Sequence, residues 1–390
     1  MSAVGETSHN LFQARAVLAE RFGYPRFRSS QLRVLAPLLG GRHVLAVLPT
    51  GAGKSLCYQV PALLAEGLTL VVSPLISLMQ DQVASLRKRG IAAAYLNSTL
   101  ARADRHTILG LALSGKVRLL YCAPERLASL SRLVRDAGVR VPLLAVDEAH
   151  CIVEWGNAFR PMYRQLGEFR YHLREPQTLA LTGSATPTTR QEILEVLRIP
   201  RAEVVAASFD RPNLRFEVTR VKDDRDRYAR LVRALDEAGG QAIVYAPTRR
   251  LTELVTRALR LRGLKAAPYH AGLDADIRRP VLGAFLHDRA PVMVATSAFG
   301  MGIDKPDVRL VLHWGPPRTL ESYYQEAGRA GRDGRASTCR ILWRREDLAW
   351  GETNTEMRRY VEQRRCRRRM LLEHFGERLG TCSGCDVCGR

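Results

Sequence analysis

Short apolar runs alternate with amphipathic stretches along most of this chain, and that alternation constrains the fold more than any other feature. HVLAVLP, LTLVVSP, VRLLYCAP, LLAVDEAH and TLALTGSATP are rich in Val and Leu and stop at Pro, Gly or Asp. Such runs read as buried strands, and the stretches between them, including Leu75 to Arg89 and Arg190 to Leu197, read as helices. Repeated strand, helix, strand units imply a parallel sheet covered on both faces. The pattern pauses after about residue 208 at SFDRPNLRFEVTRVKDDRDR, a charged stretch that reads as a connection. A second set follows, with QAIVYAPT, KAAPYHAG, PVMVATSAFG, VRLVLHWG and STCRILW. The expectation is two tandem α/β domains, 1–208 and 209–345, and a small module over 346–390 where the composition turns Arg-rich and then Cys-rich.

No run of about 18 apolar residues occurs, so a membrane-spanning helix is not expected. The start, MSAVGETSHN, has neither a basic segment nor an apolar core of the secretory type. The default expectation is a cytoplasmic protein without a membrane partner. The net charge is +21, and only six of the 60 basic residues are lysine. Genome composition accounts for part of the arginine count, but an excess of this size points to a polyanionic partner such as nucleic acid.

Leu48-Pro-Thr50-Gly51-Ala-Gly53-Lys54-Ser55 follows an apolar strand and opens a helix. Glycines there let backbone N–H groups curl around phosphate oxygens. Lys54 suits the β and γ phosphates, and the Ser55 hydroxyl suits Mg²⁺. Leu48 stands where the generic pattern has glycine. Asp147-Glu148-Ala-His150 ends another strand, so its carboxylates fall beside the loop: Asp147 toward Mg²⁺, Glu148 toward the attacking water. Phosphoryl transfer also needs positive charge in the transition state. Gln325, Arg329 and Arg332 in SYYQEAGRAGRDG are spaced to share one face of a helix.

Four of the eight cysteines, Cys57, Cys122, Cys151 and Cys339, are scattered and read as small buried hydrophobes. The others, Cys366, Cys382, Cys385 and Cys388, crowd the tail. Four thiolates suit tetrahedral Zn²⁺ with no open position, which is a structural rather than a catalytic arrangement. The helix read over MRRYVEQRRCRRRMLL supplies a basic surface.

These motifs, with FGYPRFRSSQ (22–31), VVSPLISLMQDQV (71–83), YCAPERL (121–127), LTGSATP (181–187), YHAGL (269–273) and VATSAFGMGIDKPDVR (294–309), together resemble RecQ-type DNA helicases of helicase superfamily two. The resemblance implies two RecA-like domains, with ATP hydrolysed in the cleft between them, and a helical zinc-binding module. It implies ATP, Mg²⁺ and structural Zn²⁺ as cofactors. It assigns adenine to Tyr24, Arg28 and Gln31, coupling to Ser184, Thr186, Thr296, Met301, Gly302 and Asp304, and DNA stacking and phosphate contact to Trp155, Phe159 and Arg160. Ser29-Ser30 stands where family members often carry Pro-Gly, and Asn157-Ala158 where they show His-Asp. The implied activity is 3′ to 5′ translocation on single-stranded DNA with unwinding of forked or duplex DNA, in a monomer serving repair or recombination. A weakly unwinding translocase or an ATP-regulated annealing protein are the alternatives. Larger members continue into winged-helix and HRDC-like domains, and neither is expected in this sequence.

Overall fold

The apolar runs of the first half form one seven-stranded sheet in the computed structural model, which describes residues 3–49, 51–154, 161–300, 305–348 and 353–389. Its strands are β1 (Val44–Val47), β2 (Thr69–Val72), β3 (Ala93–Leu96), β4 (Leu119–Cys122), β5 (Leu143–Val146), β6 (Gln177–Thr182) and β7 (Glu203–Ala206). Their order is β3-β4-β2-β5-β6-β1-β7, and every pairing is parallel. Because β5, β6 and β1 are neighbours, the loops after them emerge side by side on one rim. Helix Leu56–Leu64, which follows the phosphate loop, is buried nearly all round. Cys57, Tyr58 and Ala62 pack into the sheet's core, while Val60 joins Leu18, Phe27 and Leu35 of the N-terminal segment.

The chain divides into two compact units between Ser208 and Phe209. The second unit holds six strands: β8 (Leu214–Arg220), β9 (Gln241–Tyr245), β10 (Ala266–Tyr269), β11 (Val292–Ala295), β12 (Val308–His313) and β13 (Ser337–Trp343). They run β10-β11-β9-β12-β13-β8, again all parallel. Tail residues Met357, Tyr360, Val361 and Leu371 share one core with Phe216, Tyr323 and Trp343 of this unit.

Three strands go beyond those expected from the sequence: β3, β7 and β8. The last lies inside the stretch that reads as a connection, and helix Asp224–Ala238 begins there too. The stretch that reads as one Arg-rich helix is two, Thr355–Glu362 and Arg367–His374, separated by residues 363–366. Among the described residues, no helix is long and apolar enough to cross a membrane.

Candidate nucleotide site and cysteine cluster

The loop after β1 turns through two left-handed residues, Gly51 at φ +83° and Gly53 at φ +73°, which only glycine adopts cheaply. Leu48 N donates to Thr182 O of β6 at 2.9 Å. Lys54 Nζ crosses the loop to Leu48 O at 3.4 Å, and Ser55 immediately precedes helix Leu56–Leu64 without capping it through its side chain. Gln31 lies buried against this loop rather than on an open face. Its amide donates to Ala52 O at 3.2 Å and Gly53 O at 3.1 Å, while Oε1 accepts from Arg28 N at 2.8 Å. The Arg28 guanidinium donates to Gly51 O. Both side chains therefore brace the loop backbone. Both Gln31 amide hydrogens are engaged there, which leaves its carbonyl oxygen for a further partner. Tyr24 is half exposed. Thr50 lies outside the described residues.

A Cβ on Gly53 would sit 2.5 Å from Gln31 Nε2, in a backbone conformation that L side chains rarely adopt. Gly53→Ala is therefore expected to push Gln31 off the loop and weaken nucleotide binding about tenfold, since left-handed backbone alone costs about 1–2 kcal/mol. Titration with a fluorescent ATP analogue checks this; unchanged affinity would show that the brace does not matter.

Asp147 follows β5, with its N–H on Val72 O at 2.8 Å and its Oδ1 accepting from Glu148 N at 3.0 Å. Burial raises the Asp147 carboxyl, and the Glu148 charge adds to this. Lys54 and the Glu148 N–H oppose, and the balance leaves it at about 7. A carboxylate held this dry is a ready ligand for a divalent cation. Glu148 itself stands at φ +47°, a sparsely populated conformation for a non-glycine residue. Its Oε2 lies 3.4 Å from His150 Nδ1, which is 2.9 Å from Thr182 Oγ1. Thr182 Oγ1 donates to Ser184 O at 3.0 Å and accepts from Ser184 N at 3.3 Å. A hydroxyl has one proton, so His150 must donate from Nδ1. Polar contacts thus run from Glu148, which faces His150 at ion-pair range, through the His150–Thr182 hydrogen bond to the Ser184–Thr186 segment. Thr186 then caps helix Pro187–Val196 by accepting from Thr189 N at 3.1 Å. His150 and Thr182 are not among the site residues expected from the sequence. Their signal there is position alone, at the ends of two adjacent strands.

In the second unit, helix Leu320–Ala327 carries Gln325 but ends before Arg329 and Arg332. The shared helix face expected for these three does not form. Gly328 caps the helix, and Gly331, at φ +53°, turns the chain away. Arg329 is buried and donates to Gly300 O. A Cβ on Gly300 would lie 2.3 Å from its Nη2, so glycine there admits the guanidinium. Arg332 is only partly buried. Thr296 follows β11, its N–H on Tyr269 O at 3.1 Å. Met301, Gly302, Asp304, Trp155, Asn157, Ala158, Phe159 and Arg160 lie outside the described residues.

The four tail cysteines converge, their sulfurs all within 4.8 Å of one another. Four tetrahedral Zn–S bonds of about 2.3 Å would set the sulfurs roughly 3.8 Å apart, inside that bound. Burial raises the Cys385 thiol, but the N–H groups of Cys388, Arg367 and Val387 outweigh it and hold Cys385 down to about 7. Asp386 anchors the loop between the last two cysteines. It accepts from Arg367 Nε at 3.0 Å and Val218 N at 3.0 Å, while its own N–H donates to Phe216 O at 3.1 Å. The cysteine loop thereby covers the exposed edge of β8. Arg368 is fully buried over the Phe216 ring, bonded to Asp210, Arg211 O and Leu214 O. The basic surface expected here consists of Arg358, Arg359, Arg364, Arg365 and Arg369, whereas Arg367 and Arg368 are interior.

Residues 28–194 match the DEAD/DEAH box helicases, and 226–334 the helicase conserved C-terminal domain. The fold resembles that of the Mycobacterium smegmatis helicase Lhr (TM-score 0.65, 23% identity, covering 85% of this chain and 48% of that one). It also resembles S. cerevisiae Dbp5 (TM-score 0.67, 15% identity, 90% and 91%). The architecture is that of a two-unit helicase core. Residues 351–389 further match the RecQ zinc-binding family. The chain is 42% identical over 401 residues to the ATP-dependent DNA helicase RecQ of Bacillus subtilis, covering 97% of this chain and 67% of that protein. It is 40% identical over 393 residues to the Haemophilus influenzae protein of that name, covering 96% and 63%. It therefore belongs to the RecQ family of helicases, and spans roughly three fifths to two thirds of the length of these relatives.

Proposed function

We propose that this chain is an ATP-dependent DNA helicase that moves 3′ to 5′ along single-stranded DNA and separates duplex or forked DNA in repair or recombination, acting in the cytoplasm or on the nucleoid. One observation carries the reading: a glycine-turned loop bearing Lys54 and Ser55 lies beside the buried Asp147 and its neighbour Glu148, in a chain of the RecQ family. Bound Mg²⁺-ATP would supply the phosphoanhydride whose hydrolysis drives movement. Around it, the loop N–H groups and Lys54 hold phosphate oxygens, and Ser55 and Asp147 hold the cation. Glu148 orients water, Gln325 and Arg329 support the site, and Arg332 neutralises developing charge. Tyr24, Arg28 and Gln31 bound the base. Trp155, Phe159 and Arg160 contact the strand. ATP hydrolysis with and without single-stranded DNA, together with unwinding of a 3′-tailed duplex, tests this. DNA-stimulated hydrolysis without strand separation would reduce the protein to a translocase, and no stimulation would refute the reading.

We propose further that Cys366, Cys382, Cys385 and Cys388 hold one structural Zn²⁺. The purified chain is expected to contain one zinc per molecule, released by thiol modification, with the tail losing order before the ATP chemistry is affected. Metal-free protein with intact reduced thiols would refute this.

A further inference from the structure

Strand β8 leaves part of its outer edge open. It closes one side of the second sheet, with β13 as its strand neighbour. Val221 N donates to Trp343 O at 2.8 Å, so the odd-numbered peptide groups of β8 face β13 and the even-numbered ones face outward. The cysteine loop takes up the first outward groups. Phe216 O accepts from Asp386 N at 3.1 Å, and Val218 N donates to the Asp386 carboxylate at 3.0 Å. The loop then turns back on itself, with Cys388 N on Cys385 Sγ at 3.3 Å and Gly389 N on Cys385 O at 3.2 Å. Among the described residues, nothing pairs with the next outward groups, Val218 O and Arg220 N. Two such groups bracket one residue of a parallel strand, whose N–H goes to the first and whose C=O accepts from the second.

A cavity of about 580 Å³ lies against this open edge, walled on its apolar side by Val218, Trp343 and Val387. Arg220, Arg345 and Arg364 also line it. All three are exposed and, among the described residues, form no ion pair or side-chain hydrogen bond. The Arg220 guanidinium lies 5.8 Å from the Trp343 ring centroid. Of the two carboxylates in the lining, Asp386 is already matched by Arg367 at 3.0 Å, which leaves Glu362 against three arginines. These features select a peptide. Its backbone answers Val218 O and Arg220 N together, whereas a phosphate backbone has no N–H to donate. The unmatched arginines call for carboxylates, and the apolar wall calls for alternating apolar side chains, since successive residues of a strand point to opposite faces. A second copy of the chain fits poorly, because pairing β8 with itself sets like charges opposite one another.

We propose that the open end of the β8 edge, with Arg220, Arg345 and Arg364 beside it, is a docking surface for an extended acidic segment of a partner protein, which adds to the sheet as a parallel strand. The test is fluorescence anisotropy of the full chain with a fluorescein-labelled peptide that alternates glutamate and valine. Saturable binding is expected. Arg345→Ala/Arg364→Ala should bind the peptide about tenfold more weakly at an unchanged melting temperature. Methylating the valine backbone nitrogens and methylating the glutamate ones should differ in effect by about tenfold, because only one set meets β8 in an added strand. Equal effects of the two methylated peptides overturn strand addition. A parent peptide that does not bind, or that binds the folded variant as well as the wild type, overturns the surface. Should the double variant unfold, the two methylated peptides on wild-type protein still decide. If oligothymidylate displaces the peptide and loses affinity for the variant in step with it, the surface belongs to nucleic acid and the proposal fails. Wild-type dimers in sedimentation that the variant dissociates assign the edge to a second copy and overturn it too.

Discussion

Arg332→Ala is expected to lower ATP turnover by roughly 10³-fold or more while leaving ATP affinity within about threefold of the wild type. An arginine that meets charge developing on a transferring phosphoryl group is worth about 10³–10⁵ in turnover. That interaction is strongest in the transition state, so its loss appears in kcat and not in ground-state binding. The structure distinguishes Arg332 from its neighbour. Arg329 is buried with its guanidinium on Gly300 O, so removing it is expected to loosen the fold around Phe299 and Gly300 as well. Arg332 is less buried as a residue and lies past the turn beyond Gly328, outside the helix that carries Gln325. Lys54→Ala makes the contrast. Lys54 sits in the loop proposed to hold ground-state phosphates, so both affinity and turnover are expected to fall, the latter by about 10²–10³. Nucleotide titration beside single-turnover kinetics separates the two. If Arg332→Ala loses affinity in proportion to turnover, its assignment to the transition state fails.

What can be read from the sequence is whatever depends on local chemistry. The phosphate loop is legible because Gly51 and Gly53 must take positive φ, and both do. The central strands are legible because β1, β2, β4 and β5 are buried along their whole length and are therefore almost entirely apolar. Edge strands obey no such rule. In β8, LRFEVTR buries only Leu214 and Phe216, and two of its charges, Arg215 and Glu217, pair with each other while Glu217 also pairs with Arg340. That pattern looks like a polar linker until a partner strand is known. β3 is alanine-rich and β7 is partly exposed, so neither advertises itself. The helix expected across Gln325, Arg329 and Arg332 fails for a local reason that spacing alone conceals: glycines at 328 and 331 end it. Gln31 shows a different limit. Its motif marks it for the nucleotide, yet only the fold reveals that its amide is already engaged by the loop backbone.

The arginines of the tail carry the prediction with the largest effect on stability. Arg368→Met keeps the side-chain bulk but removes the guanidinium from a fully buried position. Asp210 then loses its cation, and the carbonyls of Arg211 and Leu214 lose their donors. Removing the buried cation from such a pair costs about 3–5 kcal/mol, because two carbonyls and a half-buried carboxylate lose a charged donor together. For a unit of this size that is a melting temperature lower by roughly 6–20 °C. The effect should extend to the metal site, since Arg368 lies two residues after Cys366 and the cysteine loop is hydrogen-bonded to β8 through Asp386. Zinc is therefore expected to leave the variant faster under a chelator. Arg369→Met, at an exposed position next in the chain, serves as the control and should shift stability by about 0.5 kcal/mol or less. A second change, Asp210→Leu, removes the carboxylate that Arg368 faces and should restore part of the loss in the Arg368→Met background, as expected when both partners of a pair are replaced together. Calorimetry of the three variants decides the matter: if Arg368→Met melts with Arg369→Met, the buried arginine does not hold the tail to the sheet.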